Sequence, residues 1–238
     1  MSLYFTPAHH AMLFACLTRA LHQAFGPSGL EAAAGAVRCY GEQRGRRMAA
    51  RTRSDGLEPD AAGYLAYGEW SAEPGTTQSS LPSLWPEVVM ENRKCPWYDL
   101  WRQKGLLEYG GIYCREVDAA LARGYCGMTL DTVQCLTRGD ALCRFVFRGQ
   151  GVGPERQAEL QKRQAALGDS AQMPWSYHCA HLYAAFLHAA RLRLGLEGAA
   201  ACALALEDFG EEYGPEMAAF VLRRAADDFE AVARKEEY

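Results

Sequence analysis

Apolar residues recur at helical spacing from Ala8 to Phe25, and the run Gly26-Pro27-Ser28 stops that pattern and opens another. A second helix is expected from about Leu30 to about Arg53, rich in alanine and long side chains and closed by Ser54-Asp55-Gly56. A third, shorter helix fits Pro59 to Trp70. From Ser71 to Gln78 the residues become small and polar, and LWPEVVMENRKCPW then alternates with β-branched positions, which predicts a strand ending near Cys95 and Pro96. After Gly110-Gly111 the helical period returns over Ile112 to Gly124, with Tyr113, Cys114, Val117, Leu121 and Tyr125 on the apolar face. MTLDTVQCL and LCRFVF alternate as strands around TRGDA, where Gly139 and Asp140 carry turn chemistry, so an antiparallel pair is expected.

The run RGQGVGP, Arg148 to Pro154, is the best internal boundary, and a charged helix from Glu155 to about Leu167 follows it. Pro174 and Ser176 open a further helix to about Leu194; one or two more continue from Glu197, broken near Gly210 or Gly214, and end in a charged tail expected to be solvated. Together these elements predict an α+β fold: an antiparallel sheet flanked by helices, with N-terminal helices and a C-terminal helical bundle. Residues 1–150 then form the α+β domain, and residues 151–238 a helical region that packs on it.

Composition narrows the function. A chain of 238 residues buries a substantial core, and a formal net charge of -4 exerts no broad pull on nucleic acid, so the expected partner is a small-molecule substrate. The apolar stretch from Ala11 to Leu21 is interrupted by Thr18 and Arg19 and flanked by histidines, unlike a signal segment or a membrane span, which places the protein in the cytoplasm. Nine cysteines, an odd count without a CxxC pair, read as thiols rather than as a disulfide framework or a zinc knuckle. A homodimer is compatible with the sequence but not demanded by it.

The densest reactive cluster is PWSYHCAHLYAAF. With Ser176 as N-cap, Cys179 takes the third helical position, where free N–H groups lower a thiol pKa and favour a nucleophile. His178 and His181 flank it as candidate proton shuttles, and Tyr183 shares its face as a substrate contact. The same residues also fit a packed core with locally bonded imidazoles, or two ligands at i and i+3 for a metal whose third ligand lies elsewhere; no cofactor is expected, and metal dependence stays open. A second set joins Cys114 to Asp118, one turn apart, with Tyr113 beside them and Glu91 at a strand end as a further carboxylate. Arg44, Arg47 and Arg51 form a cationic stripe, a solvated face or a fork for a substrate carboxylate.

Three strings, CPWYDLWRQKG…YCREVDAALARGY, LTRGDALCRFVF and HCAHLYAAF, resemble the L-2-amino-thiazoline-4-carboxylic acid hydrolases over roughly Glu91 to Phe186. The hairpin is also similar to 4-vinyl-reductase-like domains, which implies a non-catalytic small-molecule-binding module with Cys114 and Cys143 on its pocket. The hydrolase resemblance implies opening of a cyclic isothiourea. That chemistry asks for a nucleophile or activated water, a carboxylate on the amidinium and a proton donor for the leaving atom. On this expectation Cys179 or Cys114 attacks, His178 or His181 moves the proton, Asp118 or Glu91 holds the cation, and Arg44 or Arg47 holds the substrate carboxylate.

Overall fold

A computed structural model describes residues 3–233 and 235–238. Helices α1 (Pro7–Phe25) and α2 (Pro27–Ser54) are separated by Gly26 alone, and each opens on a proline whose missing N–H would have lacked a partner in the first turn. Asp60 caps α3 (Ala61–Ala66) by accepting the Gly63 N–H at 2.8 Å. Strands β1 (Gln78–Ser83) and β2 (Val88–Lys94) follow, then α4 (Pro96–Lys104), α5 (Leu107–Cys126), β3 (Leu130–Gln134) and β4 (Cys143–Phe147). The chain continues through α6 (Pro154–Leu167), α7 (Trp175–Tyr213, broken at Gly195) and α8 (Pro215–Arg224). The result is an α+β fold around one antiparallel sheet of order β1-β2-β4-β3. No helix among the described residues is long and apolar enough to cross a membrane.

Helix α3 stops at Ala66, short of the expected Trp70, and α5 starts at Leu107, ahead of Gly110-Gly111; two further elements form where the sequence predicts none. Strand β1, QSSLPS, has no β-branched residue and holds Pro82, so its propensity is poor; it forms as an edge strand paired with β2. Helix α4 begins where the β2 strand was expected to end, because Pro96 starts a helix whose Trp97 and Trp101, one turn apart, are buried together.

The two faces of the sheet carry different residues. Val88, Met90 and Asn92 of β2 stand opposite Phe147, Phe145 and Cys143 of β4, and this face packs under α3 and α5 with Tyr64, Leu121 and Tyr125. Residues of the other parity lie on the opposite face, where Glu91, itself buried, stands opposite Arg144. Helix α5 is held close to α2 by glycine: a Cβ at Gly45 would collide with the Leu121 carbonyl, and one at Gly124 with the Glu42 carbonyl.

The second half of the chain does not form a separate core. Cys179, Leu182, Tyr183 and Phe186 of α7 join one apolar cluster with Phe14 of α1 and Val37 of α2. The tail is less solvated than its charge suggests, because Phe229 is buried against His181 with ring centroids 4.7 Å apart, and Tyr238 packs on Tyr177 and Arg224. Aromatic anchoring outweighs the charge of the exposed Glu236 and Glu237.

Candidate functional site

Two polar assemblies lie inside the protein. The first surrounds the cysteine and histidines of α7. Pro174, not Ser176, is the N-cap, so Cys179 is the fifth residue of the helix, beyond the free N–H groups of the first turn that would have stabilised a thiolate. It has no exposed surface, and burial alone drives its thiol pKa far up, with no charged neighbour opposing. This removes from Cys179 both the acidity and the access expected of a nucleophile. Tyr183 is equally enclosed, its phenol pushed up to about 12 mainly by burial.

The histidines are committed elsewhere, and their tautomers follow from their partners. The Trp97 indole can only donate, so His10 Nδ1 accepts from it at 3.1 Å, and His10 Nε2–H donates to the Tyr40 hydroxyl at 3.2 Å. Tyr40 then donates to His178 Nδ1 at 3.3 Å, and His178 Nε2–H donates to the Glu69 carbonyl at 3.2 Å. His181 Nδ1 accepts from Arg47 Nη2 at 3.4 Å while its Nε2–H donates to Gln43 Oε1 at 2.7 Å. All three rings are fully buried and held neutral, their pKa values lowered by desolvation first and by nearby arginines or histidines second, His178 to about 3. With both nitrogens of each ring engaged, neither His178 nor His181 presents a lone pair to Cys179 or to an ion. Among the described residues no group of three His, Cys, Asp or Glu is placed to hold a metal.

The arginine stripe ends on Glu69, a residue that no periodicity marks as buried. Arg51 Nη1 reaches Glu69 Oε1 at 2.6 Å, Arg47 meets both carboxylate oxygens at 3.1 and 2.9 Å, and Arg44 Nε reaches Oε2 at 3.3 Å. Burial works against the Glu69 charge, but the three guanidiniums outweigh it and hold the carboxyl well below its usual range. Arg47 also donates to the Phe229 carbonyl. The forks expected to grip a substrate carboxylate are therefore filled by the protein's own. Arg44 keeps a buried free arm: its Nη1 has no partner among the described residues, and its guanidinium lies over Trp70 at 4.1 Å.

Beyond Trp70 lies the second assembly, a cavity of about 220 Å³ between α5, β2 and β4, with Trp70 and Trp97 on one side and Val117 and Phe145 on the other. Tyr113, Cys114 and Asp118, which the helical period of α5 sets on one face, all line it. Glu91 does not: one position from Asn92 in a period of two, it points to the opposite face of the sheet and pairs with Arg144 at 2.9 Å and Arg93 at 3.2 Å.

Sequence reasoning missed Asn92, Lys94, Cys95 and Cys135, which line the same cavity. Asn92 carries a signal, being a polar residue on the inward parity of a strand whose other inward positions are apolar. Cys135 carries none, because its place depends on the pairing of β3 with β4. The Gly139-Asp140 turn fixes it. Gly139 takes φ 90, which only glycine adopts without strain, and the Asp140 carboxylate accepts the Cys135 N–H at 2.7 Å.

The cavity has acid–base chemistry of its own. Burial raises the Asp118 carboxyl to about 6, opposed by the Arg44 charge and reinforced by Cys135. The Tyr113 hydroxyl and the Asn92 amide oxygen are buried without a hydrogen-bond partner among the described residues. Lys94, Thr77 and Ser79 line the cavity from the β1–β2 side, Lys94 donating to the Gly75 carbonyl at 2.6 Å.

The chain matches the family model described as L-2-amino-thiazoline-4-carboxylic acid hydrolase over residues 7–147. No curated protein and no solved structure matches. The matched segment runs from α1 to the end of β4 and contains every residue that lines the cavity, whereas His178, Cys179 and His181 lie outside it. The likeness therefore takes in the N-terminal helices and stops short of the HCAHLYAAF string. Since the match spans more than half of the sequence, the chain belongs to the L-2-amino-thiazoline-4-carboxylic acid hydrolase family.

Proposed function

We propose that the protein hydrolyses a small cyclic amidine or thiazoline, of the L-2-amino-thiazoline-4-carboxylate kind, by breaking a ring C–S or C–N bond in the cavity between α5 and the sheet. The observation that carries this reading is Asp118, a half-buried carboxyl poised near pH 6 on a cavity that also holds unsatisfied polar atoms. The volume, about 220 Å³, suits one small ring with its carboxylate rather than a larger ligand.

The chemistry follows from the charges. The carbon between nitrogen and sulfur is electrophilic when the amidine is protonated, and the Asp118 carboxylate pairs with that cation. During the reaction Asp118 takes a proton from the attacking group and returns it to the departing ring atom. Asn92 Oδ1 accepts an amidinium N–H, and Lys94 faces the substrate carboxylate. One water is consumed and one ring bond lost, and no cofactor is required.

Incubation of the purified protein with L-2-amino-thiazoline-4-carboxylate tests this, with released thiol reporting C–S cleavage and the product mass reporting C–N cleavage. Turnover of the thiazoline, or of a related cyclic amidine, is the expected result. Saturable binding without any turnover would overturn it in favour of a ligand-binding module. In the same assay Cys179→Ala is expected to keep turnover within about twofold while costing about 1–2 kcal/mol of stability for the lost core volume, read from a denaturant melt.

A further inference from the structure

Three thiols converge on the wall of the cavity. Cys135 is the middle one: its Sγ lies 3.9 Å from Cys143 Sγ, is within hydrogen-bonding reach of the Cys114 thiol, and is 3.1 Å from the Thr137 hydroxyl. The Thr137 N–H also points to it, while the Leu136 N–H donates to Cys143 Sγ at 3.4 Å. Every one of these groups around the Cys135 sulfur can donate; of the carboxylates nearby, Asp140 is engaged by the Cys135 N–H at 2.7 Å and Asp118 lies across the cavity lining. Such a nest stabilises a sulfur anion as an oxyanion hole stabilises oxygen.

Its middle place separates Cys135 from the other two. It sits at the corner where β3 turns into the helical turn Leu136–Arg138, between Cys143 and Cys114, and like Cys114 it lines both the cavity that holds Asp118 and an adjoining surface groove. From these contacts we infer that Cys135 is the nucleophile of the proposed hydrolysis, with Cys114, Cys143 and Thr137 as the donors that position and charge it. The inference rests on the hydrolase reading above. The direction of the acidities agrees: hydrogen bonds from Cys114 and Cys143 push the Cys135 thiol far down, while those two are pushed up.

The step balances without an oxidant. The Cys135 thiolate adds to the amidinium carbon, the ring C–S bond breaks, and the departing sulfur takes the amidinium proton, relayed by the Asp118 carboxylate. This leaves the opened substrate joined to Cys135 through an isothiourea. Water then adds to the same carbon, giving its proton to Asp118, and expels the Cys135 thiolate with the urea product. The ring sulfur leaves as a free thiol. In a C–N-opening variant the ring nitrogen leaves instead, and the first bond formed is the same.

Iodoacetamide labelling, quantified for each cysteine by peptide mass spectrometry between pH 5 and 9, tests the thiolate on the unaltered protein. Cys135 is expected to react at a nearly constant rate down to pH 6, at least about tenfold faster there than an ordinary thiol, and to be shielded by the thiazoline. Turnover by Cys135→Ser should fall about a thousandfold, its fold checked by thermal melting, and acid quenching of the wild type should trap substrate mass on the peptide that holds Cys135. Labelling that follows an ordinary thiol titration, or that falls first on Cys114 or Cys143, overturns the inference. So does a Cys135→Ser protein that turns over at near wild-type rate, an outcome that leaves the hydrolase reading intact with water as the direct nucleophile. A wild type without turnover overturns both.

Discussion

Replacement of Asp118 by asparagine is expected to cut turnover of the cyclic amidine about a thousandfold and, above neutral pH, to raise the melting temperature. Both effects come from one cause. The folded carboxyl is raised to about 6, above the ordinary aspartate value of about 3.9 in an unfolded chain. Between those values the native state holds the proton more tightly, so stability falls as pH rises through the window, and the full cost persists above pH 6. Asparagine removes that cost, about 3 kcal/mol, along with the group that holds the amidinium and carries its proton. In the wild type kcat/KM should therefore rise with pH through about 6 and then level. A variant that kept this acid limb, or that lost stability as well as activity, would show that Asp118 is a structural carboxyl.

The largest effect on stability is expected at Glu69. Glu69→Gln leaves Arg44, Arg47 and Arg51 without their shared counter-charge, two of them almost wholly buried, and should cost about 3–5 kcal/mol. In a chain of this size that corresponds to a fall in Tm of roughly 10 °C. The pH dependence separates this network from simple packing. Glu69 has a depressed folded pKa, so its stabilisation is complete above the unfolded value of about 4.3 and is lost as pH falls below it. His10, His178 and His181 are buried neutral, so only the unfolded state takes up their protons below about 6.5, and stability declines from there downward. The wild type should lose stability in two stages on acidification, and Glu69→Gln should keep the histidine stage and lose the carboxylate stage. The same substitution frees the Arg44 charge to act on Asp118, so the acid limb of kcat/KM should move to lower pH. A melt of Glu69→Gln indistinguishable from wild type would mean that the network contributes nothing to the fold.

Local chemistry and the one short-range strand pair were legible; contacts between distant segments were not. Helices α1 and α2 follow from apolar spacing broken by Gly26 and Pro27, and the β3–β4 pair follows from the Gly139-Asp140 turn, because each signal lies within a few residues of its effect. Cys114 and Asp118 share a cavity for the same reason: four positions on one helix face one way. What escaped depends on distant partners. Strand β1 exists through its ladder with β2, Glu69 is buried only because three arginines of α2 surround it, and Cys135 meets Cys143 only when β3 and β4 register. The Cys179 cluster misled through a local error with a long reach. Taking Ser176 for the cap placed the sulfur among free amides, whereas Pro174 starts the helix and α1 and α2 close over it.

The central claim is that Asp118 is the acid–base group of a small-molecule site, and its carboxyl titration tests this most directly. In protein labelled with 13C at aspartate, the Asp118 resonance, assigned by its absence in Asp118→Asn, can be followed against pH with and without a cyclic guanidine bearing the same carboxylate. The account predicts an inflection near 6 in the free protein that falls by more than one unit when the cation binds and stabilises the charged form. A carboxyl that titrates near 4, or one indifferent to the ligand, would contradict it.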